Sequence, residues 1–146
     1  MSMMMLLGAL SASLASADGD PLHRMTIEHR GVPLSVDYRA TKALTTRQAG
    51  MSPPTRTGGV VRCHWVAKVV VERSMARGGG SLNRVVDSGL ELKGSRPGTC
   101  AGARKAIDRE VAARDDEVRR HVQAVAERDH ATLLAELEAA MRPDAS

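Results

Sequence analysis

From Ala103 to Arg142 the chain contains neither glycine nor proline, and Ala, Glu, Arg and Leu dominate. Strong helix formers without a breaker over such a length predict a helix over 100–141. At 100° per residue, Ile107, Val111, Val118, Val122 and Val125 fall within an arc of about 60°, an apolar stripe suited to packing on another layer. Glu110–Arg114, Asp115–Arg119 and Asp116–Arg120 are spaced for acid-before-base pairs along the other faces. Near Asp129 the stripe drifts, since Leu133, Leu134, Leu137 and Met141 centre roughly 100° away. A bend there, or a second helix capped by Asp129, is the expectation. A strict heptad is not kept, so a coiled coil is not expected.

The rest of the chain must supply the surface that covers this stripe. It holds one Trp (Trp65), one Tyr (Tyr38) and no Phe. Aromatic side chains bury the most area per residue, so the core rests on Val, Leu, Ile, Met and Ala and gains from a covalent staple. Residues 25–29 and 32–40 read as a β-hairpin around Arg30-Gly31, with Val32, Leu34, Val36, Tyr38 and Ala40 on one face. The alternation can be followed on to Leu44 and Thr46. Pro33 has no amide hydrogen for a ladder, so its strand should lie at an edge or begin there. Residues 49–59, with Gly50, Pro53, Pro54, Gly58 and Gly59, read as a loop. The clearest strand follows, with Val61, Cys63, Trp65, Ala67, Val69 and Val71 on an apolar face and Arg62, His64, Val66, Lys68, Val70 and Glu72 on a mixed one. Gly78-Gly79-Gly80 marks a break, and residues 82–86 and 90–93 read as two short strands separated by Asp87-Ser88-Gly89. Thr99 is placed to cap the helix. The fold class expected is α+β: an antiparallel sheet of three to four strands over 22–95, packed against a long C-terminal amphipathic helix.

Two features speak to compartment. Met3 to Leu14 is a mostly apolar stretch without charge, followed by Ala15-Ser16-Ala17 and then the polar Asp18-Gly19-Asp20-Pro21. The stretch falls short of the ~20 apolar residues that span a bilayer and has the order of a secretory signal, although no Lys or Arg precedes it. Residues 1–17 are therefore expected to be a signal peptide and 18–146 one α+β domain, with no transmembrane span in the mature chain. Cys63 and Cys100 are the only cysteines, an even count that suits an oxidising compartment. They are the one candidate site pair, expected to form a disulfide between the Trp65 strand and the helix start. A redox dithiol is not expected, as the CxxC spacing is missing. The expected localisation is periplasmic or secreted.

Charge and motifs narrow function by exclusion. The net charge is +4. Residues 1–100 carry thirteen Lys/Arg against seven Asp/Glu, and residues 101–146 carry eight against ten. The basic front half invites acidic partners, but its cations are scattered, and two aromatics do not make a base-stacking platform. Specific nucleic-acid binding is not expected. His23, His29, His64, His121 and His130 fit no zinc spacing, and His121 and His130 lie about 180° apart on one helix. Cys63 and His64 point to opposite strand faces and cannot form a nucleophile–base pair. Gly78-Gly79-Gly80-Ser81 lacks the lysine of a phosphate loop, and no GxSxG elbow is present. Asp115, Asp116 and Glu117 read as a solvated helix face rather than an acid–base pair. No catalytic, cofactor or metal residue is assigned. The expected role is a non-enzymatic binding module of the cell envelope, with an unidentified protein or envelope component as partner. The alternative is a small secreted hydrolase or metal-dependent enzyme.

Overall fold

The computed structural model describes residues 22–50, 60–77 and 80–140. The expected signal peptide lies outside these residues, as do most of the loop after Gly50 and Gly78-Gly79. Four strands, β1 (His23–His29), β2 (Val32–Ala49), β3 (Arg62–Arg77) and β4 (Gly80–Pro97), form one antiparallel meander in the order β1-β2-β3-β4. Two helices follow, α1 (Cys100–Ala112) and α2 (Asp115–Ala140). This is the α+β architecture, a curled sheet packed against a long C-terminal helix.

The hairpin forms where expected. Arg30 (φ 52°) and Gly31 (φ 78°) both take positive φ, the backbone of a tight two-residue turn whose twist matches that of the strands. Beside such a turn His29 and Val32 are the hydrogen-bonded pair. Position 33 therefore turns its nitrogen away from β1, towards the side on which β3 begins to pair only at Val36. Pro33 leaves no ladder bond unmade, although β2 is an inner strand.

β4 corrects the sequence reading. Residues 82–86 and 90–93 belong to one continuous strand, and Asp87-Ser88-Gly89 is an irregularity within it rather than a turn. The register with β3 slips between Val69↔Leu90, Val71↔Asp87 and Glu72↔Val85. The Asp87 carboxylate accepts the Gly89 amide (3.1 Å), so its side chain satisfies backbone that the bulge takes out of the ladder. Bulge and turn use the same residue types, and only the pairing with β3 distinguishes them.

The helical region also differs from expectation. It breaks at Ala113–Arg114, and α2 runs through Asp129 without interruption. Thr99 caps α1, its hydroxyl accepting the Gly102 amide at 3.1 Å. The apolar stripe of α1, Ala103, Ile107 and the partly buried Val111, would next require an apolar residue near position 114. Arg114 stands there instead and reaches the Lys93 carbonyl on β4 (3.3 Å) and the Glu117 carboxylate. Asp115, Asp116 and Glu117 then occupy the first turn of α2, where acidic groups favour the helix dipole. The expected i,i+4 pairs give way to other partners. Glu110 joins Arg96 across the layers, Asp115 joins Lys42 on β2, and Asp116 joins Arg119 at i,i+3.

Both helices lie on one face of the sheet. Trp65, Ala67, Val69, Val71 and Met75 of β3 bury against Ile107, Val118, Val122, Leu133 and Leu137. Gly94 of β4 sits opposite Trp65, and a Cβ there would lie 2.5 Å from the indole ring. The glycine makes room for the only tryptophan. Cys63 and Cys100 stand at disulfide distance, with the sulfurs 2.11 Å and the Cα atoms 4.8 Å apart. Fully buried Cys63 on β3 meets the first residue of α1, the juncture at which a bridge was expected.

Candidate functional site

The only charged groups buried in the interior among the described residues are Arg73 and Asp129, 5% and 9% exposed. Each is placed by the element that carries it. Arg73 follows Cys63, Trp65, Ala67, Val69 and Val71 on the inward row of β3 and is followed there by Met75. Asp129 lies on the inward stripe of α2 between Val125 and Leu133. Facing layers thus bring two opposite charges together in an otherwise apolar core. Arg73 Nη1 donates to Asp129 Oδ2 (2.7 Å), and the Tyr38 hydroxyl of β2 donates to the same oxygen (2.8 Å). The second guanidinium nitrogen of Arg73 donates to Glu136 Oε2, and the other oxygen of Glu136 pairs with Arg84 of β4. Two arginines and two carboxylates so form a neutral chain from the core to the β4 edge.

Electrostatics decide what this chain can do. Burial, the hydrogen bond to Asp129 and that carboxylate's charge push the Tyr38 hydroxyl well above the ordinary phenol range. Tyr38 therefore stays protonated and serves as a donor. Asp129 is tied to two donors through one oxygen, which suits an interior lock better than a proton acceptor for a substrate. Two clefts flank the chain between β4 and α2. One, of about 220 Å³, is lined by Asp87, Arg128, Asp129 and Thr132; the other, of about 210 Å³, lies among Arg73, Leu82, Arg84, Leu133, Glu136 and Leu137. Both are smaller than the ~300–1,000 Å³ typical of small-molecule sites.

The histidines are dispersed. His121 Nε2 lies 2.7 Å from Asp87 Oδ2, and His29 Nε2 lies 2.6 Å from Glu138 Oε1. Burial alone would raise the Asp87 carboxyl. The hydrogen bonds from His121 and the Gly89 amide, with the charges of His121 and Arg128, together hold it below its ordinary value. Arg30 and His29 likewise lower Glu138, and Arg96 lowers Glu110 with help from the Trp65 indole N–H. His23 lies beside the Tyr38 ring, and His64 is on the sheet face away from the helices. Among the described residues no three His, Cys, Asp or Glu side chains are grouped to hold a metal ion.

Sequence reasoning singled out Cys63 and Cys100, which the fold brings together, and missed Arg73, Asp129 and Tyr38 as a unit. A signal for them existed. Extending the period-two reading of β3 beyond Val71 puts Arg73 on the apolar row, and at 100° per residue Asp129 falls within the arc of the stripe from Ile107 to Val125. Compared with known protein families, curated proteins and solved structures, the chain has no significant match.

Proposed function

We propose that the protein is a non-catalytic, extracytoplasmic binding module that uses the helix-free face of its sheet to engage a component of the cell envelope. The observation that carries this reading is the layering. Among the described residues both helices cover one face of a four-stranded sheet, leaving the other face available. On the covered side the ionisable groups are held in interior and interlayer pairs, Arg73–Asp129, His121–Asp87 and Glu110–Arg96. Placement outside the cytoplasm is supported by the cysteine pair at disulfide distance and by the Ala15-Ser16-Ala17 pattern. No described helix is long and apolar enough to cross a membrane.

The test combines recovery and binding. Protein isolated from its native cell is expected in an extracytoplasmic fraction, beginning at Asp18 and lacking reactive thiols after unfolding. The purified mature chain is expected to co-sediment saturably with isolated envelope, releasing no new small products by mass spectrometry. An intact N-terminus in the cytosol with two titratable thiols overturns the localisation. Catalytic release of products from the envelope favours a hydrolase instead.

A further inference from the structure

We infer that one half of the helix-free sheet face is a binding strip for a linear anionic polysaccharide, an inference that rests on the reading of that face as the binding surface. The register of the sheet shows what the linear order of residues hides. Arg47 of β2 stands opposite His64 of β3, which stands opposite Ser95 of β4. Lys68 is opposite Glu91, Lys93 is opposite Val66, and Arg62 lies at the end of the same row of β3. Arg47, Arg62, Lys68 and Lys93 are all exposed. Four cations scattered over the sequence thus share one end of one surface with a single carboxylate, Glu91, paired to Lys93 at 3.3 Å. Among the described residues no carboxylate lies within ion-pair distance of Arg47 or Lys68.

The other end of this face is different. Arg24 is bound to Asp37 (2.7 Å), Arg39 stands opposite Glu72, and Glu28 adds a further acid. The face is therefore polarised, with its positive charge drawn to the Arg47–Lys68 end. From Arg62 to Lys68 along β3 the strip is about 20 Å long, and across β2, β3 and β4 it is about 10 Å wide. A long positive strip on the helix-free face of the sheet suits a chain of repeated negative charges better than one small anion.

The residues between the cations select among polyanions. The Thr45 hydroxyl donates to the Val66 carbonyl (3.4 Å) and can still accept, and the Ser95 hydroxyl accepts from Arg62 (2.9 Å) and can still donate, which suits sugar hydroxyls and carboxylates. His64 is half-buried and no Phe, Tyr or Trp lies on this strip to build a platform for successive bases, which disfavours nucleic acid. Its apolar members, Ala43 and Val66, are short, and Val66 is half-buried, so neither extends to the acyl region of a bilayer.

The experiment measures binding of a fluorescently labelled alginate fragment, a polyuronate, to the full mature protein by anisotropy. With four charge contacts, affinity is expected to fall ~50-fold between about 50 and 200 mM salt on the counterion-release slope of a single-stranded polyanion. The triple variant Arg47→Gln, Lys68→Gln, Lys93→Gln is expected to lose at least ~10-fold at low salt. A control with the same charge loss on the helices, Arg104→Gln, Lys105→Gln, Arg120→Gln, is expected to lose no more than about threefold. Unfolding midpoints confirm that both variants fold. Equal losses in the two variants, no binding by the unaltered protein, or tighter binding to duplex DNA or to phosphatidylglycerol vesicles each overturn the inference. Persistent co-sedimentation with envelope alongside absent alginate binding sinks this inference alone; loss of both removes the broader reading as well.

Discussion

Asp129 is the residue on which the interior depends most. It carries a charge into the core and is tolerated there only because Arg73 and Tyr38 both donate to it. Removing one member of a buried pair leaves the other uncompensated and costs ~3–5 kcal/mol. Asp129→Ala is expected to lose about that much in denaturant unfolding. Tyr38→Phe removes one hydrogen bond to a charged acceptor and should lose ~1.5–3 kcal/mol. Combined with Asp129→Ala, Tyr38→Phe should add little, since its acceptor has already gone. Additive losses would falsify the shared-oxygen arrangement. The surface acids predict the response to pH. The Arg24 hydrogen bond and charge hold Asp37 below its ordinary 3.8 despite an opposing effect of burial, and Asp87 is also lowered. A carboxyl whose pKa is depressed on folding contributes stability above the unfolded value, lost as pH falls through the folded one. The unfolding midpoint should therefore decline as pH drops below 3.8, and Asp37→Asn should flatten that decline. An unchanged pH profile for the variant would remove Asp37 from the account.

At the scale of elements, two irregularities let straight segments cover a curled sheet. The bulge at Asp87-Ser88-Gly89 keeps β4 paired with β3 on both sides of the register slip. The break at Ala113–Arg114 lets α1 pack near Trp65 while α2 packs near Tyr38 and Arg73. Trp65 is packed tightly by both layers, with Gly94 beneath its ring and Glu110 accepting its indole N–H at 3.1 Å. Gly94→Ala is expected to displace the indole, costing ~1–3 kcal/mol as an overpacked core. Because Trp65 is the only tryptophan, its fluorescence reports the change directly, as a red shift in the native state. A native emission spectrum matching that of the unaltered chain, with equal stability, would show that the ring does not rest on this glycine.

For the molecule as a whole, the cysteine pair joins sheet to helices across 37 positions of sequence. In the chain-entropy model, closing a loop of that length stabilises by ~4 kcal/mol, a large part of the ~5–15 kcal/mol available to a domain. Reduction is expected to lower stability by ~2–5 kcal/mol. Cys63→Ser and Cys100→Ser should each lose a similar amount, and the double variant little more. Two reactive thiols in the unreduced, unfolded protein would refute the bridge. The need for such a clamp follows from composition, because a core with one Trp, one Tyr and no Phe has few large side chains to bury.

Local periodicity made much of this legible in the sequence. The alternation about Arg30-Gly31 specified the hairpin, the row from Cys63 to Val71 specified the inward face of β3, and the breaker-free stretch with Thr99 before it specified where helix begins. These features repeat within a few residues and depend on no distant partner. Tertiary structure alone decided the rest, because each remaining feature joins segments far apart in the chain. Asp87-Ser88-Gly89 is a bulge only because β3 pairs on both sides of it, and Arg114, between the two helices, finds the Lys93 carbonyl of β4 within reach. The drift of Leu133, Leu134, Leu137 and Met141 reads in sequence as a bend or a cap at Asp129; Arg73, 56 residues away, makes Asp129 part of the core of one unbroken helix. The same holds on the helix-free face, where β-sheet register gathers Arg47, Arg62, Lys68 and Lys93 at one end. A charge count along the chain registers their number, while only the pairing of strands determines their arrangement, since side chains from different strands become neighbours through ladder hydrogen bonds that no single segment contains.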